Sequence, residues 1–107
     1  MKSSIRPRAR DDIIRQFRWY LIEQQAPEAA DRFMEAVNES INEIGRMPRM
    51  GAPKSVRNPL LRGLRAFPVT GFEEIRIFYL LQGRTVRVLR VLHGKRDVNR
   101  ILEGEIG

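Results

Sequence analysis

Cysteine is absent from this chain, and histidine occurs only once, at position 93. Disulfide bonds and cysteine-ligated zinc sites are therefore excluded, and a reducing compartment is expected. One histidine without a suitably spaced carboxylate pair does not make a metal site, and the sequence contains no glycine-rich phosphate-binding loop of the P-loop or dinucleotide type. We therefore predict no metal and no other cofactor.

Long apolar runs are also missing. No segment approaches the ~20 apolar residues that span a bilayer, and the first residues, MKSSIRPRARDD, lack the apolar stretch of a signal peptide. A cytoplasmic protein with no membrane contact is therefore expected. The length of 107 residues, with 42% hydrophobic and 31% charged residues, predicts a single globular domain over residues 1–107 with one hydrophobic core.

The excess of positive charge lies in one part of the chain. Residues 1–47 carry eight basic and eight acidic residues, whereas residues 48–107 carry twelve basic and five acidic residues, which accounts for the whole net charge of +7. Seventeen of the twenty basic residues are Arg, whose planar guanidinium forms bidentate pairs with carboxylates and phosphates. The expected partner is therefore acidic, either nucleic acid or a protein surface; a charge that only maintains solubility is the alternative.

Two amphipathic helices are predicted in the first half of the chain. The first covers residues 8–25, where apolar residues recur at spacings of three and four. Its stripe consists of Ile13, Ile14, Phe17, Tyr20, Leu21 and Gln24. Pro27 suits the first turn of a second helix, which is expected to reach residue 44 and to be ended by Gly45 and Pro48. So short a break between helices predicts an antiparallel helical hairpin.

A period of two replaces the helical period after a proline-rich loop at residues 48–61. Strands are predicted at residues 62–69, 72–81 and 84–92, joined by short turns as an antiparallel meander. Alternation along the last strand places Val86 and Val88 on one face together with Arg90, and the opposite face then carries Arg87, Leu89, Val91 and His93.

The chain ends complete the fold prediction. Met1–Arg6 is a candidate extra edge strand, and a short helix is expected after Gly94, with Asp97 as its N-cap. The predicted fold class is α+β, with an N-terminal antiparallel helical hairpin packed on one face of a small antiparallel β-sheet and a short C-terminal helix.

Residues suited to catalysis are scarce. Glu73 and Glu74 would point to opposite sides of a strand, and no serine lies near His93 or in a recognisable nucleophile elbow. Metal-independent RNA cleavage remains, with His93 as acid or base and cations that stabilise the phosphorane. The candidate cations are Arg65, Arg76, Arg90, Lys95 and Arg96. The same side chains would also suit a binding surface or a solvated sheet face, and both are favoured over catalysis.

Five short segments follow one another in a characteristic order: RARDDI (8–13), MPRMG (47–51), RGLR (62–65), IRIFY (75–79) and VLRVLHGKRD (88–97). Together they resemble the ParE branch of the RelE/ParE superfamily, the toxins of bacterial type II toxin–antitoxin modules. The resemblance covers roughly residues 4–102 and implies the fold described above. It also implies a ParD-like antitoxin whose N-terminal part binds operator DNA, so that the toxin meets DNA only indirectly. The antitoxin's flexible acidic C-terminal segment would wrap the Arg-rich surface.

The resemblance implies one of two toxic activities. ParE-type toxins inhibit DNA gyrase, whereas RelE-type toxins cleave mRNA on the ribosome. No aromatic residue follows Tyr79, and Gly94 stands where several ribosome-dependent nucleases have Tyr, so the tail offers no stacking platform for an unpaired base. Gyrase inhibition by binding, without enzymatic activity, is therefore preferred. A RelE-like endoribonuclease that uses His93 is the alternative, and a degenerate toxin that only binds antitoxin and co-represses is a third.

Two overlapping sets of residues follow from these expectations. The predicted target-binding surface consists of Arg65, Arg76, Arg90, His93, Lys95 and Arg96. The predicted antitoxin-binding residues are Phe17, Trp19, Tyr20, Arg65, Arg76 and Arg90. Trp19 lies off the apolar stripe of the first helix and is the better candidate for a partner contact, whereas Phe17 and Tyr20 favour the core.

Overall fold

A computed structural model describes residues 1–94, 96 and 98–105. Along these residues an edge strand comes first, a helical hairpin follows, and the other strands and a short final helix complete the fold. The helices are α1 (Pro7–Arg18), α2 (Pro27–Arg46) and α3 (Val98–Glu103). The strands are β1 (Lys2–Ile5), β2 (Ala52–Pro53), β3 (Arg65–Val69), β4 (Phe72–Gln82) and β5 (Thr85–His93). A π-helical turn at Trp19–Glu23 extends α1, and a 3₁₀ turn covers Pro59–Leu61.

The helical hairpin forms as predicted, with small differences at its ends. Pro27 is the first residue of α2, as its fixed backbone angle favours. Gly45 does not end α2, which continues to Arg46. The glycine instead allows a close approach, because a Cβ at position 45 would lie 3.2 Å from the carbonyl oxygen of Met1. Within the described residues, no helix combines the length and the apolar character needed to cross a bilayer.

The sheet has five strands in the order β1-β5-β4-β3-β2. The predicted meander is confirmed, because β3, β4 and β5 pair antiparallel in sequence order. The extra edge strand predicted at Met1–Arg6 also forms, but β1 runs parallel to β5. The predicted antiparallel sheet therefore carries one parallel pairing, at this edge. The helical hairpin lies between β1 and the rest of the sheet in sequence, and such a crossover allows parallel pairing.

Apolar side chains pack on both faces of the sheet, so the expectation of a single core is wrong. On one face, α1 and α2 cover a cluster that includes Phe33, Ile41, Ile77 and Tyr79. On the other face, Leu102 of α3 joins a second cluster whose further members are Leu61, Leu64, Ala66, Phe78, Leu80, Leu89 and Leu92. Both faces of β4 are therefore buried over its middle part, which matches the unbroken run of large apolar residues at 77–81.

A β-bulge changes which face the end of β5 presents. Tyr79 pairs with Val88 but the adjacent Phe78 pairs with Arg90, so Leu89 is the extra residue. After such a bulge the alternation shifts by one residue. Val91 therefore joins Val86 and Val88 under the helices, and the strict alternation predicted for this strand is wrong beyond Leu89.

Candidate functional site: a cleft at the end of α1 and a locked loop after α2

An open cleft lies where the end of α1 approaches the end of β5. Its volume is about 490 Å³, and it is lined by Arg15, Gln16, Trp19, Glu74, His93 and Arg96. We call it the Trp19 cleft. It brings together one residue predicted to bind antitoxin, Trp19, and two predicted to bind the target, His93 and Arg96. Two guanidinium groups beside an indole ring suit a ligand that carries both carboxylates and apolar groups.

Trp19 lies where α1 passes into the π-helical turn. The amide of Gln24 donates to the carbonyl of Trp19 at 3.0 Å, one residue further back than in an α-helix. Gln25 then adopts a left-handed conformation with φ of 48°, and the helix ends. Trp19 is 44% exposed and packs edge-on against Tyr20, with ring centroids 5.1 Å apart.

Tyr20 and Phe17 mainly support the core. Both are half-buried and pack against the cluster under the helices. The ring of Tyr20 lies 5.7 Å from that of Phe33 and 5.5 Å from that of Phe72. Burial raises the pKa of the Tyr20 hydroxyl, while a hydrogen bond with Gln16 opposes the rise. Of the three aromatic residues predicted to bind antitoxin, Trp19 is therefore the exposed one.

His93 is held by a carboxylate. Its Nε2 lies 3.1 Å from Oε2 of Glu74, and its backbone pairs with Ile75 across the sheet. The amide of Gly94 donates to the carbonyl of Glu74 at 2.6 Å, which fixes the turn after β5. Glu74 and His93 also line a second, adjacent cleft of about 320 Å³ together with Tyr20 and Phe72. The pair therefore stands between two open clefts.

Arg90 lies in the interior, which corrects its placement on an exposed surface. It is 9% exposed and its Nε and Nη2 donate to the two carboxylate oxygens of Asp12 at 2.7 and 2.9 Å. Its Nη1 donates to Glu105 at 2.7 Å. The hydrogen bonds to Asp12 raise the pKa of the guanidinium further, and burial opposes this rise. The side chain ties α1 to the segment that follows α3.

Arg65 is also engaged within the protein, at a different place. Its Nη1 donates to the carbonyls of Arg49 and Gly51 at 3.0 and 2.7 Å. Beside it, the buried hydroxyl of Tyr79 donates to the carbonyl of Pro48 at 2.7 Å and accepts from the amide of Gly51 at 3.1 Å. Burial raises the pKa of Tyr79. These contacts hold the segment Met47–Gly51, which we call the locked loop.

The remaining predicted residues are scattered. Arg76 is exposed on β4, between Pro68 and Leu92 of the neighbouring strands. It therefore points to the sheet face opposite Ile75. Lys95, and Asp97 as the N-cap of α3, lie outside the described residues. Among the described residues predicted to contact the target, Arg65 supports the locked loop and Arg90 is buried, whereas His93 and Arg96 line the Trp19 cleft.

Sequence reasoning missed four participants. Arg15, Gln16 and Glu74 line the Trp19 cleft, and Asp12 pairs with Arg90. Asp12 carried a signal, since it lies beside Ala9 and Ile13 on the buried side of α1, where a carboxylate requires a partner. Among the described residues, no group of three or more His, Asp or Glu side chains converges as metal ligands would.

Comparisons with known proteins agree with the fold. A family model described as the ParE toxin of type II toxin–antitoxin system, parDE, matches residues 4–98. No curated protein matches the chain. A chain from a solved structure described as the chromosomal ParDE TA system from P. aeruginosa is similar, with a TM-score of 0.67 and 16% sequence identity. That match covers 87% of this chain and 95% of the solved one, and at this identity the likeness concerns the fold.

Proposed function

Because the chain belongs to the ParE toxin family of type II toxin–antitoxin systems, we propose that it acts by binding and inhibiting DNA gyrase and that a ParD-like antitoxin neutralises it. Gyrase as the target is what resemblance to the ParE branch implies. The proposed setting is the cytoplasm, where gyrase and the antitoxin are both present. Operator DNA would be reached only through the antitoxin.

Binding is favoured over RNA cleavage because two of the candidate arginines, Arg90 and Arg65, are bonded within the protein. A metal-free nuclease site needs cations that converge with an acid or base on one phosphate. Here the guanidinium of Arg90 is occupied by Asp12 and Glu105 in the interior, and Arg65 supports the locked loop. His93 pairs with Glu74 beside an indole ring, in a cleft suited to protein side chains.

The Trp19 cleft is the proposed meeting point of antitoxin and target. Trp19 supplies a large apolar surface, and Arg15 and Arg96 supply positive charge in the same cleft. An acidic antitoxin segment that carries an apolar side chain fits this combination, because charge-assisted bonds and aromatic burial reinforce each other. If the target also contacts His93 and Arg96, an antitoxin in the cleft would exclude it by direct competition.

The test is a paired assay on purified, antitoxin-free protein. One arm measures gyrase supercoiling of plasmid DNA, and the other measures mRNA cleavage on translating ribosomes. We expect lost supercoiling or trapped cleaved DNA, with mRNA intact. Cleaved mRNA with normal supercoiling would favour the RelE-type alternative and make His93 the leading acid or base. Inactivity of a folded protein in both arms would favour the degenerate toxin that only binds antitoxin.

Replacing Trp19 with Ala is expected to weaken antitoxin binding by roughly 30-fold or more, since a central aromatic anchor often contributes 2 kcal/mol or more. Calorimetric titration with the cognate antitoxin measures the affinity. Ile22→Ala is the matched control, because Ile22 lies on the same helical turn, is 61% exposed and does not line the cleft. Equal affinities for the wild-type and Trp19→Ala proteins would place the antitoxin elsewhere.

A further inference from the structure

The locked loop presents an exposed methionine between arginines on a fixed backbone. Met47 is 64% exposed, and Arg46 and Arg49 on either side of it are exposed as well. A single exposed apolar residue is ordinary on a protein surface. Met47 differs from an ordinary exposed residue because side chains of the sheet form hydrogen bonds to the backbone of the loop that carries it.

Four hydrogen bonds connect two sheet residues, Tyr79 and Arg65, to this loop. Tyr79 is fully buried, and its hydroxyl both donates to Pro48 and accepts from Gly51. Arg65 uses one nitrogen to bond two loop carbonyls. All of these bonds go to the loop backbone, so the side chains of Met47 and Arg49 remain available. A rigid backbone lowers the ordering cost that a loop pays on binding.

The charge around the loop indicates the chemistry of its partner. Arg46 and Arg49 flank Met47, and the guanidinium of Arg65 lies directly below the loop. In the described part of the chain, none of these three groups forms an ion pair with a carboxylate. Arg46 also lies in the last turn of α2, where a cation is favoured by the helix dipole. Arg49 has no such local role.

We propose that the locked loop is a second contact surface for the toxin's protein target, with Met47 entering an apolar pocket and Arg49 pairing with an acidic rim. This inference rests on the proposed function, because it requires that the chain acts by binding a protein. An apolar anchor surrounded by charge is typical of binding hot spots. The partner is an acidic protein surface, since a stacking platform for nucleic acid bases is not part of the loop.

The loop lies apart from the Trp19 cleft. Tyr79 is four residues along β4 from Ile75, the strand partner of His93, which corresponds to roughly 13 Å. A variant of the loop should therefore weaken target inhibition and leave antitoxin affinity unchanged. This separation distinguishes the loop from the cleft, where the proposed function has antitoxin and target compete.

The test compares Met47→Ala/Arg49→Glu with a matched control, Leu60→Ala/Arg62→Glu. The control exchanges the same kinds of side chain at the same spacing, and Leu60 is 56% exposed on the segment before β3. Each protein is assayed for gyrase inhibition, growth arrest on induction in cells, antitoxin affinity and thermal melting. We expect the loop variant to need at least about ten times more protein for half-inhibition and to arrest growth weakly. Its antitoxin affinity and melting temperature should match those of the control.

The readouts separate failure of the loop from failure of the gyrase proposal. If the wild-type protein arrests growth but does not inhibit gyrase, gyrase is not the target. The loop surface is then still tested by comparing growth arrest by the loop variant with growth arrest by the wild type. Full activity of the loop variant overturns the loop surface and leaves gyrase inhibition standing. A loop variant that loses activity together with melting temperature or antitoxin affinity overturns the proposal in favour of a structural role. If the wild-type protein neither arrests growth nor inhibits gyrase, both the gyrase proposal and the loop proposal are overturned.

Discussion

Replacing Arg90 with Met is expected to lower the free energy of unfolding by about 3–5 kcal/mol, as is typical when one partner of a buried ion pair is removed. Two carboxylates, those of Asp12 and Glu105, depend on this guanidinium, and their residues are only 5% and 3% exposed. Met preserves much of the side-chain volume, so the loss would come from charge and hydrogen bonding. A domain of this size often has a total stability of only about 5–15 kcal/mol.

Other contacts hold the two carboxylates around Arg90 in place. Asp12 also accepts the amide of Val91 at 3.0 Å, so its carboxylate is fixed against β5. Arg8 reaches Glu105 at 3.4 Å but lies mostly in solvent, where such a pair contributes little. The carbonyl of Glu105 accepts from Asn58 at 2.6 Å, which holds the segment after α3 in place. Loss of Arg90 would therefore loosen both α1 and the segment after α3.

Thermal and urea unfolding followed by circular dichroism measure this effect. The expected decrease in melting temperature exceeds about 10 °C for a domain of this length. Arg87→Met is the control, because Arg87 has one hydrogen bond to Gln82 at the surface and should change stability by no more than about 0.5 kcal/mol. An Arg90→Met protein that melts like the wild type and yet fails to bind target or antitoxin would return Arg90 to the binding surface.

Replacing Gly51 with Ala is expected to destabilise the protein by about 1–3 kcal/mol, the usual cost of overpacking a full core. A Cβ at this position would overlap the hydroxyl of Tyr79 and lie 2.8 Å from its Cε1 atom. Tyr79 is fully buried, so its ring cannot move aside into solvent. The methyl group would therefore displace the loop or break the bonds from Tyr79 that hold it.

A double-mutant cycle with Tyr79→Phe tests this explanation. Tyr79→Phe removes the hydroxyl that overlaps most with the new methyl group, so the two changes together should cost less than the sum of their separate effects. Ala52→Ser, at the exposed neighbouring position, is the control and should be nearly neutral. Strict additivity in the cycle, measured by urea unfolding, would show that the overlap with Tyr79 is not the cause.

The local elements could be predicted from the sequence because each depends on near neighbours. Pro27 and the apolar spacings on either side of it determine the helical hairpin, and alternation in residues 72–81 determines β4. The resemblance of five short segments to ParE toxins was confirmed by the family match over residues 4–98. Trp19 lies off the stripe of α1 and is exposed in the structure, as a partner contact would require.

The roles of individual arginines depended on contacts between distant parts of the chain. In the sequence, nothing distinguishes Arg90 from other arginines on a strand. In the structure, a bulge at Leu89 shifts the strand register, and Arg90 pairs with Asp12, which is 78 residues away. The partners of Arg65 likewise lie in the loop after α2, 14 and 16 residues earlier in the chain. Periodicity reports which face a residue occupies, but a bulge shifts that face and long-range pairing decides which charges are buried. The sequence therefore determined the fold class and the family, and only the tertiary structure separated the structural arginines from those in the cleft.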